Sequence, residues 1–267
     1  MESGILKKTS ARKLQNFLKI LGPDYYREGL HYYKLLEYPL VINGMNLKRD
    51  SRVLDIGSGR SFLPLYFAHQ GIETWIVDNG EFYPDFADFY SSVLKQMLPL
   101  REDFLNIIQE DFLNVDLPTD YYDNIIAVSS LEHFPDSGDI KAVMRISSLL
   151  KKGGRFIVTV PFSQAGTKER VLSENNITYF QRDYSLDCLY KRIIEPSGLQ
   201  FKHYIIIGER NPYWGEVFFF RKPLAKFRSC WIKFLANFFW KVYYQGKSRE
   251  LKQFKYPGVA IIVFEKQ

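Results

Sequence analysis

A glutamate and a histidine that follow one apolar segment are the residues of this chain best suited to proton transfer. Glu132 and His133 lie in the loop 129–135, directly after the apolar residues 124–128. A histidine titrates near neutral pH, so it can take a proton from a hydroxyl or a protonated amine. In a second interpretation, both side chains only brace the loop. The sequence gives His133 and Glu132 as candidate catalytic residues and leaves these two roles open.

A second group of residues has the spacing of a nucleoside-binding site. The apolar segment Arg52–Ile56 ends in the turn Gly57-Ser58-Gly59, where glycines permit a tight turn and a close ligand. The next apolar segment, 72–77, ends in Asp78, which lies 21 positions after Gly57. A carboxylate at this place can accept hydrogen bonds from both ribose hydroxyls of a cofactor. A dinucleotide site would also need a third glycine, and Phe62 stands there instead.

These groups need a parallel α/β sheet to bring them together, and the chain has the pattern of one. Strands are predicted at 52–56, 72–77, 104–109, 124–128, 151–161, 199–207 and 258–264, and helices at 14–21, 25–41, 84–97, 139–150 and in the region 178–198. Ser61 is expected to cap a further helix after the glycine turn, and Gly153-Gly154 to end the helix 139–150. Residues 162–180 are expected to form a long loop that faces the substrate.

Five ordered motifs resemble those of the class I S-adenosylmethionine-dependent methyltransferases, type 11-like. The motifs are Asp55-Ile-Gly57-Ser-Gly59, Asp78, Glu110-Asp111-Phe112, the segment from Tyr122 to His133 and the segment from Lys151 to Pro161. The resemblance runs over residues 50–208 and returns at the last strand. It implies a Rossmann-like fold with a seven-stranded, mostly parallel sheet, an antiparallel last strand and helices on both faces. One departure is Ser61, where most such enzymes carry a third small residue, usually glycine.

The resemblance implies S-adenosylmethionine as the cofactor and methyl transfer as the reaction. The implied cofactor-binding residues are Asp55, Gly57, Ser58, Gly59, Asp78, Asn79, Asp111, Phe112 and Ser129. For Asp111 and Phe112 the alternative is a turn-capping carboxylate and a core ring. Substrate pockets of this fold are built from variable loops, so the acceptor stays open between a small molecule, a glycan and a lipid-linked compound. A catalytically silent relative that binds a membrane or a partner is the competing hypothesis.

The chain is expected to divide into a helical cover, residues 1–50, and a methyltransferase domain, residues 51–267. The second predicted helix of the cover carries Tyr25, Tyr26, Arg27, Tyr32 and Tyr33. In one interpretation it docks on a sheet edge. In the other, which the resemblance implies, its tyrosines and Arg27 contact the methionine carboxylate.

Composition favours a cytoplasmic protein. Its 267 residues are 46% apolar, without a secretory signal or an apolar run of membrane-spanning length. Two cysteines provide neither a disulfide framework nor a zinc-site spacing, so no metal is expected.

The basic charge is concentrated in an insertion at about 209–255, before the last strand. Residues 221–255 contain ten Lys or Arg and one acid, a net charge of +9, whereas the whole chain carries +6. Residues 224–244 are predicted to form a helix with a lysine stripe and a broad aromatic face. One interpretation is an interfacial helix on the anionic inner face of a membrane, and the other is a cap over the active site or a dimer contact. No nucleic-acid-binding module accompanies the charge, and the oligomeric state is left open.

Overall fold

The structure is a computed structural model that describes residues 13–14, 16–17, 20–21, 34–96, 102–174, 177–209, 240–245 and 256–267. Its strands are β1 (Arg52–Ile56), β2 (Glu73–Val77), β3 (Leu105–Ile108), β4 (Tyr122–Val128), β5 (Leu150–Pro161), β6 (Lys168–Glu174), β7 (Ile177–Asp183), β8 (Gln200–Glu209), β9 (Trp240–Gln245) and β10 (Tyr256–Glu265). Its helices are α1 (Lys34–Gly44), α2 (Leu63–His69), α3 (Phe86–Gln96), α4 (Gly138–Leu149) and the short α5 (Leu186–Leu189), which continues into a π-helical turn, Tyr190–Ile194.

The main sheet has the order β3-β2-β1-β4-β5-β10-β8-β9. Strands β1 to β5 pair in parallel, and β10 runs antiparallel to both of its neighbours, β5 and β8. The Rossmann-like fold with an antiparallel last strand is therefore confirmed. An eighth strand, β9, adds to the expected seven by pairing antiparallel with the outer edge of β8.

Side chains that alternate along the central strands build one apolar core on each face of the sheet. Ile126, Ile157 and Ile261 belong to the core that α1, α2 and α3 cover, together with Leu14, Phe17 and Leu21. Ile125, Phe156 and Ile262 belong to the opposite core, which α4 and α5 cover. Because both faces are buried, the strands are apolar throughout and parallel pairing is favoured.

The expectation that Gly153-Gly154 ends the helix 139–150 is wrong. Helix α4 ends at Leu149, and the chain enters β5 at the next residue. Gly153 and Gly154 lie inside β5, where the amide of Gly153 donates to the carbonyl of Lys266 and the carbonyl of Gly154 accepts from the Lys266 amide. The positive φ of 76° at Gly153 favours glycine, and a Cβ at Gly154 would lie 2.8 Å from the carbonyl oxygen of Lys151.

The expected long loop 162–180 is also wrong, because most of it forms an antiparallel hairpin of β6 and β7. Residues 178–183, predicted as the start of a helix, are strand residues in β7. The helix begins only at Leu186, after Ser185, whose hydroxyl accepts a hydrogen bond from the amide of Cys188. Seven paired residues on each strand override the helical spacing.

The predicted helix 224–244 is wrong for its last five residues, which lie in β9. Aromatic and β-branched side chains favour a strand there, and the free edge of β8 supplies the hydrogen-bonding partner. Residues 224–239 lie outside the described part of the chain, as do residues 22–33 with Tyr25, Tyr26, Arg27, Tyr32 and Tyr33. Across the described ranges, we find no helix with the length and apolar character that crossing a bilayer requires.

Candidate active site

A cavity of about 1070 Å³ lies where the carboxyl ends of β1, β2 and β4 meet. Ligands of open α/β sheets bind at this edge. The cavity is lined by predicted site residues from four separate parts of the chain: Gly57, Ser58, Gly59, Asp78, Asn79, Asp111, Phe112, Ser129 and His133. The two remaining candidates, Asp55 and Glu132, are buried and are not among the lining residues.

The glycine turn has no room for side chains. Gly57 and Gly59 have positive φ angles of 65° and 51°. A Cβ at Gly57 would lie 2.6 Å from the Cβ of Ser130, and one at Gly59 would lie 2.8 Å from the ring of Tyr83. Gly57 is therefore required by conformation and by space, and Gly59 chiefly by its conformation, because the exposed Tyr83 ring can move.

Asp78 fastens the glycine turn to the end of β2. Its Oδ2 accepts a hydrogen bond from the amide of Gly59 at 2.8 Å, and its Oδ1 accepts one from the amide of Gly80 at 2.8 Å. Each carboxylate oxygen has a second acceptor position, so both remain able to accept from ligand hydroxyls.

Asp55 is a buried carboxyl with unsatisfied oxygens just before this turn. It is 1% exposed, and neither oxygen has a hydrogen-bond partner among the described residues. Burial, followed by the nearby charge of Asp78, raises the pKa of Asp55 well above its ordinary value. An ionised carboxylate without a partner is costly to bury, and the raised pKa favours the neutral form of Asp55.

Ser61 does not cap α2 in the expected way. The N-cap residue is Phe62, and the Ser61 hydroxyl accepts a hydrogen bond from the amide of Leu63 at 3.2 Å. The same hydroxyl donates to the Tyr38 hydroxyl at 3.2 Å. Ser61 therefore connects the glycine turn to α1.

Asp111 and Phe112 combine features of both interpretations of their role. The Asp111 oxygens accept from the amide of Leu113 and from the side-chain amide of Asn114, each at 2.9 Å, which is turn capping. Phe112 is buried in the core on the α4 side of the sheet. Both residues nevertheless line the cavity, as a contact with adenine would require.

A buried polar network that sequence analysis missed joins α1 to Ser129. Lys34 Nζ donates to the Ser129 hydroxyl at 2.8 Å and lies 2.8 Å from Glu37 Oε2. Glu37 Oε1 accepts from the hydroxyls of Ser129 and Thr159. Ser129 itself has a positive φ of 51°, an uncommon conformation for a residue other than glycine.

This network holds a cation at the cavity wall. Burial lowers the Lys34 pKa, but Glu37, Tyr38 and Glu132 together outweigh burial, so the pKa is raised and Lys34 stays charged. The sequence signal for this network was a Lys and a Glu three positions apart in a helix. Their hydrogen-bond partners lie 92 to 122 residues away along the chain, so the sequence could not reveal the contacts.

Of the two ring nitrogens of His133, Nδ1 alone has a hydrogen-bond partner in the described part of the chain. Its Nδ1 lies 2.9 Å from the carbonyl oxygen of Phe180, which can only accept, so this partner assigns the proton to Nδ1. Nε2 then carries a lone pair and has no hydrogen-bond partner among the described residues. Burial lowers the pKa of His133, which keeps the ring neutral near pH 7. The ring packs against Phe82 and Tyr179, with centroids 4.6 and 5.4 Å away.

Glu132 points to a different role. Its side chain is 2% exposed, and burial raises its pKa to about 8. Because it does not line the cavity, its position fits the bracing interpretation better than contact with a substrate. Within the described ranges, no three His, Cys, Asp or Glu side chains are arranged to hold a metal ion.

Comparison with known proteins agrees with this geometry. A family model described as a methyltransferase domain matches residues 26–193, more than half of the chain. The chain is 29% identical over 112 residues to a 2-methyl-6-phytyl-1,4-hydroquinone methyltransferase of Arabidopsis thaliana. That match covers 42% of this chain and only 30% of the plant protein, so the chain spans less than a third of that relative's length.

Two solved structures illustrate the shared fold. A 1,6-didemethyltoxoflavin-N1-methyltransferase of Burkholderia thailandensis, with its substrate and S-adenosylhomocysteine bound, has a TM-score of 0.54 at 15% identity. The alignment covers 100% of this chain and 92% of that one. A [4+2]-cyclase has a TM-score of 0.57 at 16% identity, and the alignment covers 85% of this chain and 79% of the cyclase chain. At such identities the likeness concerns the fold alone.

Proposed function

The chain belongs to the class I S-adenosylmethionine-dependent methyltransferase family, and we propose that it methylates a small molecule bound beside the cofactor. The observation that carries this proposal is the joint lining of one cavity by the nucleoside-binding residues and by His133. A cavity of about 1070 Å³ lies at the top of the roughly 300 to 1000 Å³ range of ligand sites, which supports an acceptor bound beside the cofactor.

The described residues fit the cofactor at several points. We assign Asp78 to accept from the ribose, Asp111 and Phe112 to contact the adenine, and the glycine turn to let the ligand approach the backbone, because all of them line the cavity. Asn79, Ser58 and Ser129 complete this wall, and Lys34 offers its charge to the carboxylate of the methionine part. When bound, S-adenosylmethionine supplies an electrophilic methyl group on a sulfonium.

His133 is the proposed general base. A neutral ring with its proton on Nδ1 presents Nε2 to receive the proton that an O–H or N–H acceptor loses on methylation. Glu132, although adjacent, is assigned the bracing role because it is buried away from the cavity. Phe82, packed on the His133 ring, limits the access of water to it.

The cavity wall favours an acceptor with an apolar body and at least one protic group. Phe82, Tyr83, Phe89 and Phe134 line it together with His133. The Arabidopsis relative is named for a hydroquinone that carries a phytyl chain, which is a compound of this kind. Glycans and other lipid-linked compounds are further acceptors to test.

The basic insertion would bring a lipid-linked acceptor within reach. Residues 221–255 carry a net charge of +9, which favours adsorption to an anionic surface. We place the protein in the cytoplasm, with peripheral attachment to the inner membrane face through residues 224–244. The domain division at residue 51, with a helical cover before it, belongs to the same proposal.

Methyl-labelled cofactor tests the proposal directly. The protein is incubated with it and with panels of hydroquinones, phenols, amines, glycans and isoprenoid-linked compounds, and labelled products are separated. We expect transfer to an apolar hydroxyl or amine compound, and loss of most of that transfer in His133→Gln with binding of S-adenosylhomocysteine retained. Full activity of His133→Gln would refute the base assignment.

The second candidate is a protein with this fold that performs no methyl transfer. It is favoured by the [4+2]-cyclase, which is named for a cyclisation and not for methylation although the fold is shared. Binding of S-adenosylhomocysteine without turnover on any acceptor panel would support it. Absence of binding would point to a silent module that acts only through its surface.

A further inference from the structure

Among the residues that the structure describes, Arg182 on β7 is the largest fully buried side chain, with 1% exposure. Its Nε donates to Glu169 on β6 at 2.7 Å, and its Nη1 donates to Asp139 at the start of α4 at 2.9 Å. The guanidinium therefore ties the β6–β7 hairpin to the loop that lines the cavity. A planar fork of five donors suits such a junction, whereas a lysine could not make it.

The loop 134–139 is held from its backbone as well. Arg182 donates from Nη1 to the carbonyl of Phe134 and from Nη2 to the carbonyl of Asp136, each at 3.1 Å. Arg192, from the π-helical turn, also contacts Asp139, with Nη2 at 2.6 Å from Oδ1, and the Tyr184 hydroxyl donates to Asp139 Oδ2 at 2.8 Å. Since Asp139 is fully buried, loss of either arginine contact leaves its carboxylate with only one positively charged partner.

The same guanidinium supports the residue that orients His133. Phe180 lies two positions before Arg182 in β7, and its ring centroid is 4.9 Å from the guanidinium carbon. The carbonyl of Phe180 accepts the hydrogen bond from His133 Nδ1. Arg182 thus fixes both ends of the arrangement, namely the hairpin strand that carries the acceptor and the loop that follows His133.

We propose that Arg182 is a positioning residue which, through the hairpin, holds the Phe180 carbonyl against His133 and so keeps the ring proton on Nδ1. Nε2 is then available to the acceptor. The inference rests on the proposed role of His133 but concerns its tautomer alone. The other charged groups near the ring are Glu81 and Lys34, which shift its pKa in opposite directions, and Nδ1 is hydrogen-bonded to the Phe180 carbonyl and to neither of them.

Nitrogen-15 NMR of the histidine side chains tests this proposal in the free protein. The chain has four histidines, and a His133→Gln variant assigns the signals of interest. We expect the parent to show a protonated Nδ1 and an unprotonated Nε2 with well-separated shifts. In Arg182→Lys the two shifts should move toward a common average, because the ring is released to exchange tautomers.

Arg170→Lys is the matched control. Arg170 makes two contacts of 2.9 and 2.8 Å with Asp183 on the same hairpin, but it is exposed and does not reach the loop 134–139. Its substitution should leave the His133 signals unchanged. If Arg182→Lys fails to fold, Glu169→Gln decides, because it weakens one bond of Arg182 from a side chain that is 51% exposed and should give a smaller shift in the same direction.

Two results would overturn the inference. One is a parent protein with the proton on Nε2, and the other is an unchanged tautomer in the folded Arg182→Lys or Glu169→Gln variant. These outcomes are distinct from failure of the proposed function. Full methyl transfer by His133→Gln would remove the base assignment while the NMR result stood.

Discussion

Replacing Asp78 by Ala should weaken binding of S-adenosylhomocysteine more than any other single change in the cavity wall. Asp78 accepts from the amides of Gly59 and Gly80, each at 2.8 Å, and under the proposed function it also accepts from two ribose hydroxyls. The substitution removes every one of these acceptors. In the free protein, the substitution removes the hydrogen bonds that hold the glycine turn. In the complex, it also removes those to the ribose hydroxyls.

The magnitude follows from the number of donors left without a partner. An unsatisfied buried donor costs about 1 to 3 kcal/mol. Two ribose hydroxyls therefore cost at least about 2 kcal/mol of binding free energy, which is about a 30-fold rise in Kd. Water can replace part of the loss at the two amides, because Asp78 is only partly buried. We expect a smaller effect on folding stability than on binding.

Isothermal titration with S-adenosylhomocysteine measures the effect on the parent, Asp78→Ala and Asp78→Asn. The asparagine retains one acceptor oxygen and should fall between the other two. Glu81→Ala is the matched control, because it removes the same charge from the same loop and Glu81 also lines the cavity. Denaturant unfolding of each variant without ligand separates binding from stability.

An unchanged Kd in a folded Asp78→Ala protein would refute the ribose assignment. An equal loss of affinity in Glu81→Ala would show that the negative charge of the loop, and not the hydrogen bonds of Asp78, controls binding of S-adenosylhomocysteine. If Asp78→Ala lost binding only in proportion to its folding stability, the role of Asp78 would be confined to holding the glycine turn.

Three further outcomes are expected. Phe62 is buried at the N-cap of α2, where a dinucleotide site has glycine. NAD and NADP at millimolar concentration should therefore leave the melting temperature unchanged, whereas S-adenosylhomocysteine should raise it. A shift with NAD alone would contradict the cofactor assignment. Burial raises the Glu132 pKa from 4.5 to about 8, so the native state retains a proton that the unfolded chain releases, and stability should fall as pH rises through that window. Urea unfolding of Glu132→Gln should show a flatter decline between those pH values, and an identical slope would refute the assignment. The protein should co-sediment with vesicles that contain anionic lipid, and less of it should do so as the salt concentration increases. Polar replacements at Trp231 and Phe238 should abolish this lipid binding without lowering the melting temperature. A lower melting temperature in the absence of lipid would instead favour the cap or dimer interpretation.

The parts of the site that were predictable from sequence are those encoded by short spacings. The turn Gly57–Gly59 and Asp78 belong to one βαβ unit, and the periodic apolar residues defined its strands. Strand β10 was recognisable as an apolar run at the end of the chain. The contacts of Lys34 and Glu37 were beyond such reasoning, because only the folded sheet brings them to Ser129 and Thr159.

The β6–β7 hairpin shows how local signals mislead when tertiary contacts decide. Leu186, Leu189 and Ile193 have helical spacing, and extending that pattern backwards assigned strand residues to a helix. The sequence Asn175-Asn176, between two segments of alternating polarity, was the overlooked hairpin signal. Full burial of Arg182 could not be anticipated, since arginine is mostly exposed unless it is paired.

The backbone pairing of Glu209 indicates that the basic insertion could be removed without disturbing the rest of the sheet. Glu209 is in register with Trp240 of β9 on one side and with Tyr256 of β10 on the other. The chain therefore leaves β8 and returns beside the residue from which it departed. Since β8 and β10 are antiparallel neighbours, a turn of about two to five residues could join 209 directly to 256. Excision would leave the cofactor wall intact and turn a chain of net charge +6 into one of −3. Descendants of an ancestral enzyme could thus gain or lose a surface-seeking segment without altering the register of any catalytic strand.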